Sequence, residues 1–557
     1  MRRGPRKTSA TDMRGPKTLR SNLVGSDLHS QVQLSELEVN ELLGQGAYGM
    51  VHRMTEKQTG ECRVMKTVVR PEGWDDERLK LEAEILQNLD HPHILRIFSW
   101  YEEGDSVNIV MEHCSGGELM KTVRSGRRRG QMLPESWGAM AVRQCLEALV
   151  YIHSKGVVHK DLKGQNLLLL HSTEKKGNIF GHKPHVVVCD LGIAEVCCRG
   201  IFGMRGFKVA GTPATMAPEV WKGNVCPKSD VWSMGCVMFE LYANKLPFEV
   251  VGNIQQAAAM QATWLEMHRK GPQWSIMKAG ADAKNLNQQM LIFKDSERPT
   301  ALQCLKHQWF SSVGIDDLTQ DEIDALCSSI SRWRERSPMQ RAMCLKLAVG
   351  CTCISKFARI FSKFDSDSSG VLERSEVVQA LMGLGIDKPT AKKTASALDI
   401  NNDNSCEYLE FVAACLSSLE DQFDELLRHE FRTLDIGRKN YLNSKEIAKL
   451  MAQLCPLAES HGLKLEDLDE NGDGHISFME FCAYFGRPGV EYRDEMNRTP
   501  PNPSKSSSIP MREHIRILGA TGGTVEQSME HLKKSMEIFD KRMGKANCKD
   551  AARAEQG

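Results

Sequence analysis

The sequence predicts an α+β chain in which a two-lobed domain of mixed strands and helices is followed by an all-α domain of helix-loop-helix pairs. Two observations support this fold class. The segment L-G-Q-G-A-Y-G-M-V near the N-terminus lies inside an alternating apolar pattern, which is typical of a strand-turn-strand. Between residues 365 and 480, four acidic segments recur about every 35 residues, as expected for a repeated helix-loop-helix unit.

Length and composition are those of a multidomain protein. The chain has 557 residues and a formal net charge of zero, so its overall charge favours neither nucleic acid nor a membrane as partner. It has no apolar run long enough to span a bilayer and no secretory leader, and Met1 is followed by Arg2 rather than by the glycine of a myristoylation signal. We therefore expect a cytoplasmic monomer without a stable membrane anchor, with the nucleus as an alternative location. The 18 cysteines are expected to be reduced.

The chain begins with a basic arm. Residues 1–20 contain seven Lys or Arg and one Asp, together with Gly and Pro, so we expect residues 1–33 to be disordered. A solvated tail and a nuclear or anionic-surface role both remain open for this arm.

A nucleotide-binding pattern follows the arm. Glycines such as Gly44, Gly46 and Gly49 allow backbone amides to approach phosphates, although a glycine-rich hairpin without a ligand is equally common. Lys66 in V-M-K is expected to hold the α- and β-phosphates, and Glu82 to pair with it, with Glu84 as a competing candidate. The other residues predicted to bind the nucleotide are Val51, Val64, Met111, Glu112, Cys114, Glu118 and Leu168.

The segment V-V-H-K-D-L-K-G-Q-N-L-L carries a phosphoryl-transfer pattern. Asp161 is predicted to accept the proton of the attacking hydroxyl, Lys163 to neutralise the transferring phosphoryl group, and Asn166 to ligate Mg²⁺. Asp190 in C-D-L-G is expected to be the principal Mg²⁺ ligand. We also expect Glu219 in A-P-E and Arg298 in S-E-R-P-T to form a structural salt bridge. The pattern predicts ATP as the phosphoryl donor.

A basic amphipathic segment separates this domain from the acidic repeats. Its arginines interleave with Ile330, Trp333, Met339 and Leu345, which is typical of a calmodulin target, although an ordinary solvated helix on the large lobe is the alternative. Pro338 is expected to divide it into two helices.

Three of the four acidic repeats have oxygen-bearing side chains where a calcium loop needs them, at loop positions one, three, five and twelve. Asn404 replaces the usual glycine at position six of the second loop, and Asn is the non-glycine residue that best adopts a left-handed backbone. The predicted Ca²⁺ ligands are Asp365, Asp367, Ser369, Val371 and Glu376; Asp399, Asn401, Asp403, Ser405 and Glu410; and Asp469, Asn471, Asp473, His475 and Glu480.

The third repeat is predicted not to bind calcium. It keeps Asp435 and Glu446 but has Gly437 and Lys439 where oxygen ligands belong, so we expect it to serve as the fold partner of the fourth loop. A single match of this kind can be an acidic surface turn. Three full matches at a regular period disfavour that alternative.

The C-terminal region contains a Pro- and Ser-rich linker and one amphipathic helix. The helix is too short to favour a free-standing coiled coil over docking onto a core, so dimerisation is the less favoured alternative. The predicted segments are the arm (1–33), the mixed two-lobed domain (34–310), the junction (311–352), the first and second helix-loop-helix pairs (353–420 and 421–486), the linker (487–523) and the terminal helix (524–546).

Together these motifs resemble the calcium-dependent protein kinase family of plants and protists, over residues 34–484. The resemblance implies a two-lobed protein kinase fold followed by a calmodulin-like EF-hand domain, with ATP, Mg²⁺ and Ca²⁺ as cofactors. Lys163 in D-L-K-G-Q-N and Thr212 before A-P-E match serine/threonine kinases, which implies protein substrates with Ser or Thr acceptors. It also implies that the EF-hand domain binds the junction within the same chain.

Some residues depart from the family pattern. H-K-D replaces H-R-D, and residues 193–211 contain no Ser, Thr or Tyr, so activation-loop phosphorylation is not expected to be the switch. Gln165 stands where kinases selective for basic substrates often have Glu, which leaves Glu118 as the candidate for recognising a basic substrate residue.

The sequence therefore predicts a calcium-activated serine/threonine kinase whose junction blocks the enzyme at rest and is withdrawn when calcium opens the EF-hands. A non-catalytic calcium-sensing scaffold is one alternative. An active kinase regulated by a separate calmodulin is another.

Overall fold

A computed structural model describes most of the chain between residues 37 and 486, and all described residues belong to one compact unit. The described ranges are 37–46, 49–57, 60–69, 86, 88–103, 106–191, 212–249, 257–312, 328–330, 332–350, 355–401, 403–435, 437–454 and 467–486. The N-terminal arm, Glu82, Glu84, residues 193–211, the C-terminal linker and the terminal helix lie outside them. Among the described residues, no helix is both long and apolar enough to cross a bilayer.

The first lobe is a five-stranded antiparallel sheet with strand order β1-β2-β3-β5-β4. Its strands are β1 (Leu37–Gly46), β2 (Gly49–Glu56), β3 (Cys62–Val69), β4 (Ile97–Glu103) and β5 (Ser106–Glu112). The predicted glycine-rich segment forms the β1-β2 hairpin, in which Gly46 pairs with Gly49. A Cβ on Gly49 would lie 1.8 Å from the carbonyl oxygen of Thr67, so only glycine fits at this end of the β2-β3 pairing.

The second lobe is mainly helical and is built around one apolar helix. Its elements are β6 (Gly117–Glu118), α1 (Leu119–Arg128), α2 (Glu135–Ser154), β7 (Leu167–Leu169), β8 (Val186–Val188), α3 (Pro227–Ala243), α4 (Ala257–Lys270), α5 (Ala281–Met290), α6 (Ala301–Leu305) and α7 (Trp309–Ser312). Helix α3 is apolar on most of its circumference and therefore lies in the core, against α2 and α5. A three-stranded sheet, β6-β7-β8, carries the loops of the active site.

The remaining described residues form two helix-loop-helix pairs, each closed by a short two-stranded sheet. They are preceded by α8 (Pro338–Gly350) and consist of α9 (Ser355–Phe364), β9 (Leu372–Glu373), α10 (Arg374–Gly383), α11 (Lys388–Leu398), β10 (Ser405–Cys406), α12 (Tyr408–Cys415), α13 (Glu420–Leu434), β11 (Tyr441–Leu442), α14 (Ser444–Leu454), β12 (Ile476–Ser477) and α15 (Phe478–Phe485). Strand β9 pairs with β10, and β11 with β12, which joins loop one to loop two and loop three to loop four. The predicted α+β class, a kinase-like pair of lobes followed by an EF-hand region, is confirmed.

Helix α8 of the junction lies between the two pairs. It begins at Pro338 and packs against α12 of the first pair and against α13, α14 and α15 of the second. Met343, Leu345 and Ala348 on this helix are fully buried. The junction is therefore an internal part of the EF-hand domain in this structure.

Candidate active site and calcium sites

The catalytic carboxylate is held by two side chains. One oxygen of Asp161 lies 2.5 Å from the Lys163 ammonium nitrogen. Its other oxygen accepts hydrogen bonds of 2.9 Å from both the backbone N–H and the hydroxyl of Thr212. Lys163 also donates to the Thr212 hydroxyl at 3.2 Å, so the three groups form a closed triangle. This arrangement fixes a carboxylate and an ammonium beside each other at the end of the sheet, as phosphoryl transfer to a hydroxyl requires.

A buried carboxylate below the catalytic loop shapes its backbone. Asp230, at the start of α3, accepts hydrogen bonds of 2.9 Å from the backbone N–H groups of both His159 and Lys160. It also lies 2.8 Å from Nε2 of His153. These bonds hold Lys160 at φ +71°, a left-handed conformation that costs a non-glycine residue energy. Sequence analysis missed Asp230, although an acidic residue in the first turn of a largely apolar helix is a signal that could have found it.

Asp190 and Lys66 join the two lobes. The Lys66 ammonium nitrogen lies 2.5 Å from Oδ1 of Asp190, whose backbone has φ +63°. Burial by itself raises the pKa of Asp190, but the attraction of Lys66 outweighs it and the pKa lies below its ordinary value. Asp190 is therefore ionised and able to hold a cation at neutral pH. Glu82, the predicted partner of Lys66, lies outside the described residues.

Asn166 is oriented toward the same region. It ends a 3₁₀ turn of residues Gly164–Asn166, and its amide nitrogen donates to the backbone carbonyl of Asp161 at 2.9 Å. Its amide oxygen is thereby left to face a ligand. An amide oxygen and an ionised carboxylate are donors that Mg²⁺ prefers, so Asn166 and Asp190 fit the predicted metal.

The residues predicted to surround the base lie on adjacent strands. Val51 is opposite Lys66 across β2 and β3, and Val64 is opposite Met111 across β3 and β5. Glu112 ends β5, and its N–H donates to the carbonyl of Arg96 at 3.0 Å. The remaining predicted residues are placed at the hinge and on the floor of the cleft: Gly44 on β1, Cys114 after β5, Glu118 on β6 and Leu168 on β7.

Glu118 forms an ion pair and remains partly exposed to solvent. Its carboxylate lies 2.6 Å from the ammonium of Lys121 one turn along α1, and 26% of its side chain is exposed. An exposed pair of this kind exchanges readily with a cationic ligand.

All four acidic repeats adopt the same loop geometry. The carboxylate at position one accepts the backbone N–H groups of positions five and six: Asp365 from Ser369 and Gly370, Asp399 from Asp403 and Asn404, Asp435 from Lys439 and Asn440, and Asp469 from Asp473 and Gly474. The carboxylate at position twelve accepts the N–H of position two in loops one, two and four: Glu376 from Ser366, Glu410 from Ile400, and Glu480 from Glu470. Each loop is thus folded around its own first and last acids.

The first loop has the donors that a hard cation requires. One carboxylate oxygen from each of Asp365, Asp367 and Glu376 lies within 4.8 Å of the others. Burial, followed by the neighbouring acids Asp367 and Glu376, raises the pKa of Asp365 to about 7. Burial likewise raises the pKa of Glu410 in the second loop. Clustered acids of this kind are costly alone and are stabilised by a cation, so the residues fit Ca²⁺.

The third loop holds a cation of its own. The Lys439 ammonium, which projects from position five, donates to Oε2 of Glu446 at position twelve, at 2.7 Å. It also lies 4.8 Å from the centre of the Tyr441 ring. The side chain therefore occupies the space between the first and last acids of the loop, as the prediction of an empty calcium site expects.

Comparisons with known proteins agree with this division of the chain. Residues 37–310 match the protein kinase domain family, and residues 468–487 match the EF-hand domain pair family. The calcium-dependent protein kinase 5 of Plasmodium falciparum is 29% identical over 454 residues, which cover 79% of this chain and 76% of that protein. The calcium-dependent protein kinase 10 of Arabidopsis thaliana is 26% identical over 502 residues, covering 86% and 87%. The calcium-dependent protein kinase 9 of Oryza sativa is 28% identical over 481 residues, covering 84% and 79%.

The order of the two domain matches agrees with the loop geometry and with the names of these relatives. The protein kinase domain accounts for phosphoryl transfer to serine and threonine, with ATP and a divalent cation. The EF-hands account for regulation by calcium. The domain order and the similarity to these relatives support a place for the chain in the calcium-dependent protein kinase family.

Proposed function

We propose that this kinase transfers the γ-phosphoryl group of Mg²⁺-bound ATP to Ser or Thr of protein substrates, that its junction blocks the active site at low calcium, and that the EF-hands withdraw the junction when calcium binds. The observation that carries the regulatory part is the burial of α8 between both EF-hand pairs. A helix with four fully buried apolar residues, Ala342, Met343, Leu345 and Ala348, is unstable when exposed to water, so it must lie against some surface in every state.

Polar contacts also tie the junction to the EF-hands. Lys346 on α8 pairs with Glu430 on α13, and both side chains are buried. Gln340 donates to the carbonyl of Tyr484 at 2.6 Å, and the indole of Trp333 donates to the carbonyl of Ala397 at 2.8 Å. Because these partners belong to both pairs, a change in the angle between EF-hand helices moves the surface that holds the junction.

In the reaction, Asp161 accepts the proton of the substrate hydroxyl, and Lys163 places its positive charge beside the transferring phosphoryl group. Thr212 keeps the carboxylate pointing toward the hydroxyl through its two bonds to Asp161. Asn166 and Asp190 would hold Mg²⁺, which supplies charge neutralisation at the phosphates. Lys66 orients the nucleotide and, through Asp190, connects the two lobes.

Blockage by the junction can be tested by removing it. A chain that ends before Ile315 is assayed for phosphate transfer without calcium, beside the full chain. Without calcium, we expect the short chain to transfer phosphate and the full chain to be inactive. A short chain that is folded by circular dichroism but inactive would contradict simple blockage.

A non-catalytic scaffold is the second candidate, and the geometry of the active site disfavours it. The triangle of Asp161, Lys163 and Thr212 and the Lys66–Asp190 pair are both formed. A scaffold would show calcium binding without phosphate transfer under any condition.

A further inference from the structure

The first calcium loop lies directly against the kinase lobe. Gly370, at position six of the loop, has φ +79°, and a Cβ on it would lie 2.6 Å from Cδ2 of Tyr151 and 2.9 Å from Cδ2 of His91. The rings of His91 and Tyr151 are stacked, with centroids 5.1 Å apart. They form a flat platform, and the backbone of Gly370 approaches it more closely than any side chain would allow.

Neighbouring residues extend this contact. Val371, at position seven, packs against the apolar core of the second lobe. On α9, which leads into the loop, the Ser362 hydroxyl donates to Glu147 at 3.3 Å, and Ser355 lies 2.7 Å from Nδ1 of His185. The kinase lobe therefore touches both the entering helix and the turn of the loop.

The second loop is contacted through the first turn of the helix that follows it, α12. Asp90, which precedes His91, accepts the backbone N–H of Leu409 at 2.6 Å, and both groups are buried. Leu409 lies in the first turn of α12, next to the calcium ligand Glu410. A carboxylate at a helix N-terminus satisfies an otherwise unpaired N–H and interacts favourably with the helix dipole. The backbone N–H of Asp90 donates to the Tyr151 hydroxyl oxygen at 3.0 Å, so one network joins the two contacts.

We infer that Asp90, His91 and Tyr151 form a docking surface on the kinase lobe that recognises the first EF-hand pair in its calcium-loaded shape. The inference rests on the proposed calcium gating and specifies which surface of the kinase domain binds the calcium-loaded pair. Three clustered carboxylates repel one another without a cation, so the path of the loop at Gly370 and Val371 depends on calcium. Because binding free energies are reciprocal, docking onto this surface also raises the calcium affinity of the pair.

The chain offers a matched test on the kinase side. Asp90→Ala removes the hydrogen bond to the first turn of α12 without altering any calcium loop. Thr300→Ala is the control, because Thr300 caps α6 of the same lobe by accepting from Gln303 at 3.2 Å and is remote from the EF-hands in sequence. Calcium titration of the full chains by calorimetry is expected to show about a tenfold weaker affinity in Asp90→Ala, within the usual range of coupling between sites, and no change in Thr300→Ala. Equal affinities in wild type and Asp90→Ala would overturn the inference.

A second test acts from the side of the loop. Asn at position six is compatible with the loop backbone, since Asn404 has φ +68° there in loop two. Gly370→Asn should therefore preserve the loop but collide with the platform. Gly474→Asn is the matched control, because a Cβ on Gly474 meets no atom within 4 Å.

Hydrogen exchange of the full chain is measured with and without calcium. We expect calcium to protect α2 and the segment around His91 in wild type and in Gly474→Asn, and to lose this effect in Gly370→Asn. Wild-type protection in Gly370→Asn would refute the docking surface. If Gly370→Asn also binds one calcium ion fewer, the variant has damaged the loop itself, and the calcium titration of Asp90→Ala then decides whether the docking surface exists. Phosphate transfer is measured in parallel to separate calcium gating from docking. Activity that is independent of calcium would reject the gating, whereas calorimetry and hydrogen exchange would still report whether the first EF-hand pair docks.

Discussion

Lys439 reaches across the third EF-hand loop and donates a 2.7 Å hydrogen bond to Glu446. The bond joins loop position five to position twelve, which in the other loops are both predicted calcium ligands. The ammonium group thus neutralises the terminal acid from within the chain, which supports the prediction that this loop does not bind calcium. The loop keeps its paired strand with loop four, where the Tyr441 ring also contacts the His475 ring at a tilt of 37°, with ring centroids 4.4 Å apart.

Replacing this internal cation should create a calcium site. Lys439→Asp supplies a carboxylate at position five and releases Glu446, so we expect calorimetry to show one calcium equivalent more than wild type. Lys445→Asp changes the charge equally at an exposed position that is not a ligand and should leave the stoichiometry unchanged. Unchanged stoichiometry in Lys439→Asp would show that other departures, such as Gly437, also block the site.

The hydroxyl of Thr212 should affect turnover by orienting Asp161. Thr212→Ala removes one of two hydrogen bonds to the same carboxylate oxygen, so we expect kcat to fall about tenfold, equivalent to about 1.4 kcal/mol in the barrier. Thr212→Ser keeps the hydroxyl and is expected to retain activity near wild type. Equal losses in both variants would assign the effect to the methyl group or to the backbone.

Arg298 and Glu219 form a buried ion pair that should matter mainly for stability. Nη1 and Nη2 of Arg298 lie 2.7 Å and 3.0 Å from the two oxygens of Glu219. Arg298→Met leaves a buried carboxylate unpaired, and we expect the free energy of unfolding to fall by about 3–5 kcal/mol. Denaturant unfolding of the kinase lobe measures this. The double variant Glu219→Gln, Arg298→Met should recover part of the loss, and a double variant no more stable than the single would contradict an electrostatic origin.

The position of both residues of this pair followed from sequence motifs, because the chemistry and packing of a kinase domain require given residue types at given spacings. The paired lobes, the Ca²⁺ loops and the catalytic residues follow from local patterns for the same reason. Asp90 and Leu409 are 319 residues apart, and nothing local marks either of them as a contact. Asp230 acts through backbone N–H groups, which every residue has, so its partners leave no trace in the sequence. The pairing of Glu82 with Lys66 and the roles assigned to the site residues stay predictions.

Buried histidines at the seam between the kinase lobe and α9 should make stability depend on pH. His185 donates from Nε2 to the Pro92 carbonyl and therefore accepts from the Ser355 hydroxyl at Nδ1. Burial lowers its pKa from 6.5 to about 4, so the native state resists a proton that the unfolded chain accepts. This stability is fully present above pH 6.5 and is lost as the pH falls toward 4. At pH 5 the loss is about 2 kcal/mol for this residue.

The same fall in stability should be smaller in His185→Gln, which cannot titrate. His182→Gln, on the same segment, should keep the wild-type pH dependence. Denaturant unfolding at pH 7.5 and pH 5 compares the three proteins. An identical pH dependence in wild type and His185→Gln would remove His185 as the cause.

Calcium control of phosphate transfer is the central claim, and one assay tests it directly. The full chain is given Mg²⁺-ATP and a basic serine peptide, with and without micromolar free calcium, beside Asp161→Asn as the catalytic control. We expect strong stimulation by calcium in wild type, and a residual rate about 10²–10⁴-fold lower in Asp161→Asn. Equal transfer with and without calcium would contradict the gating, and transfer that persists in Asp161→Asn would contradict the assigned base.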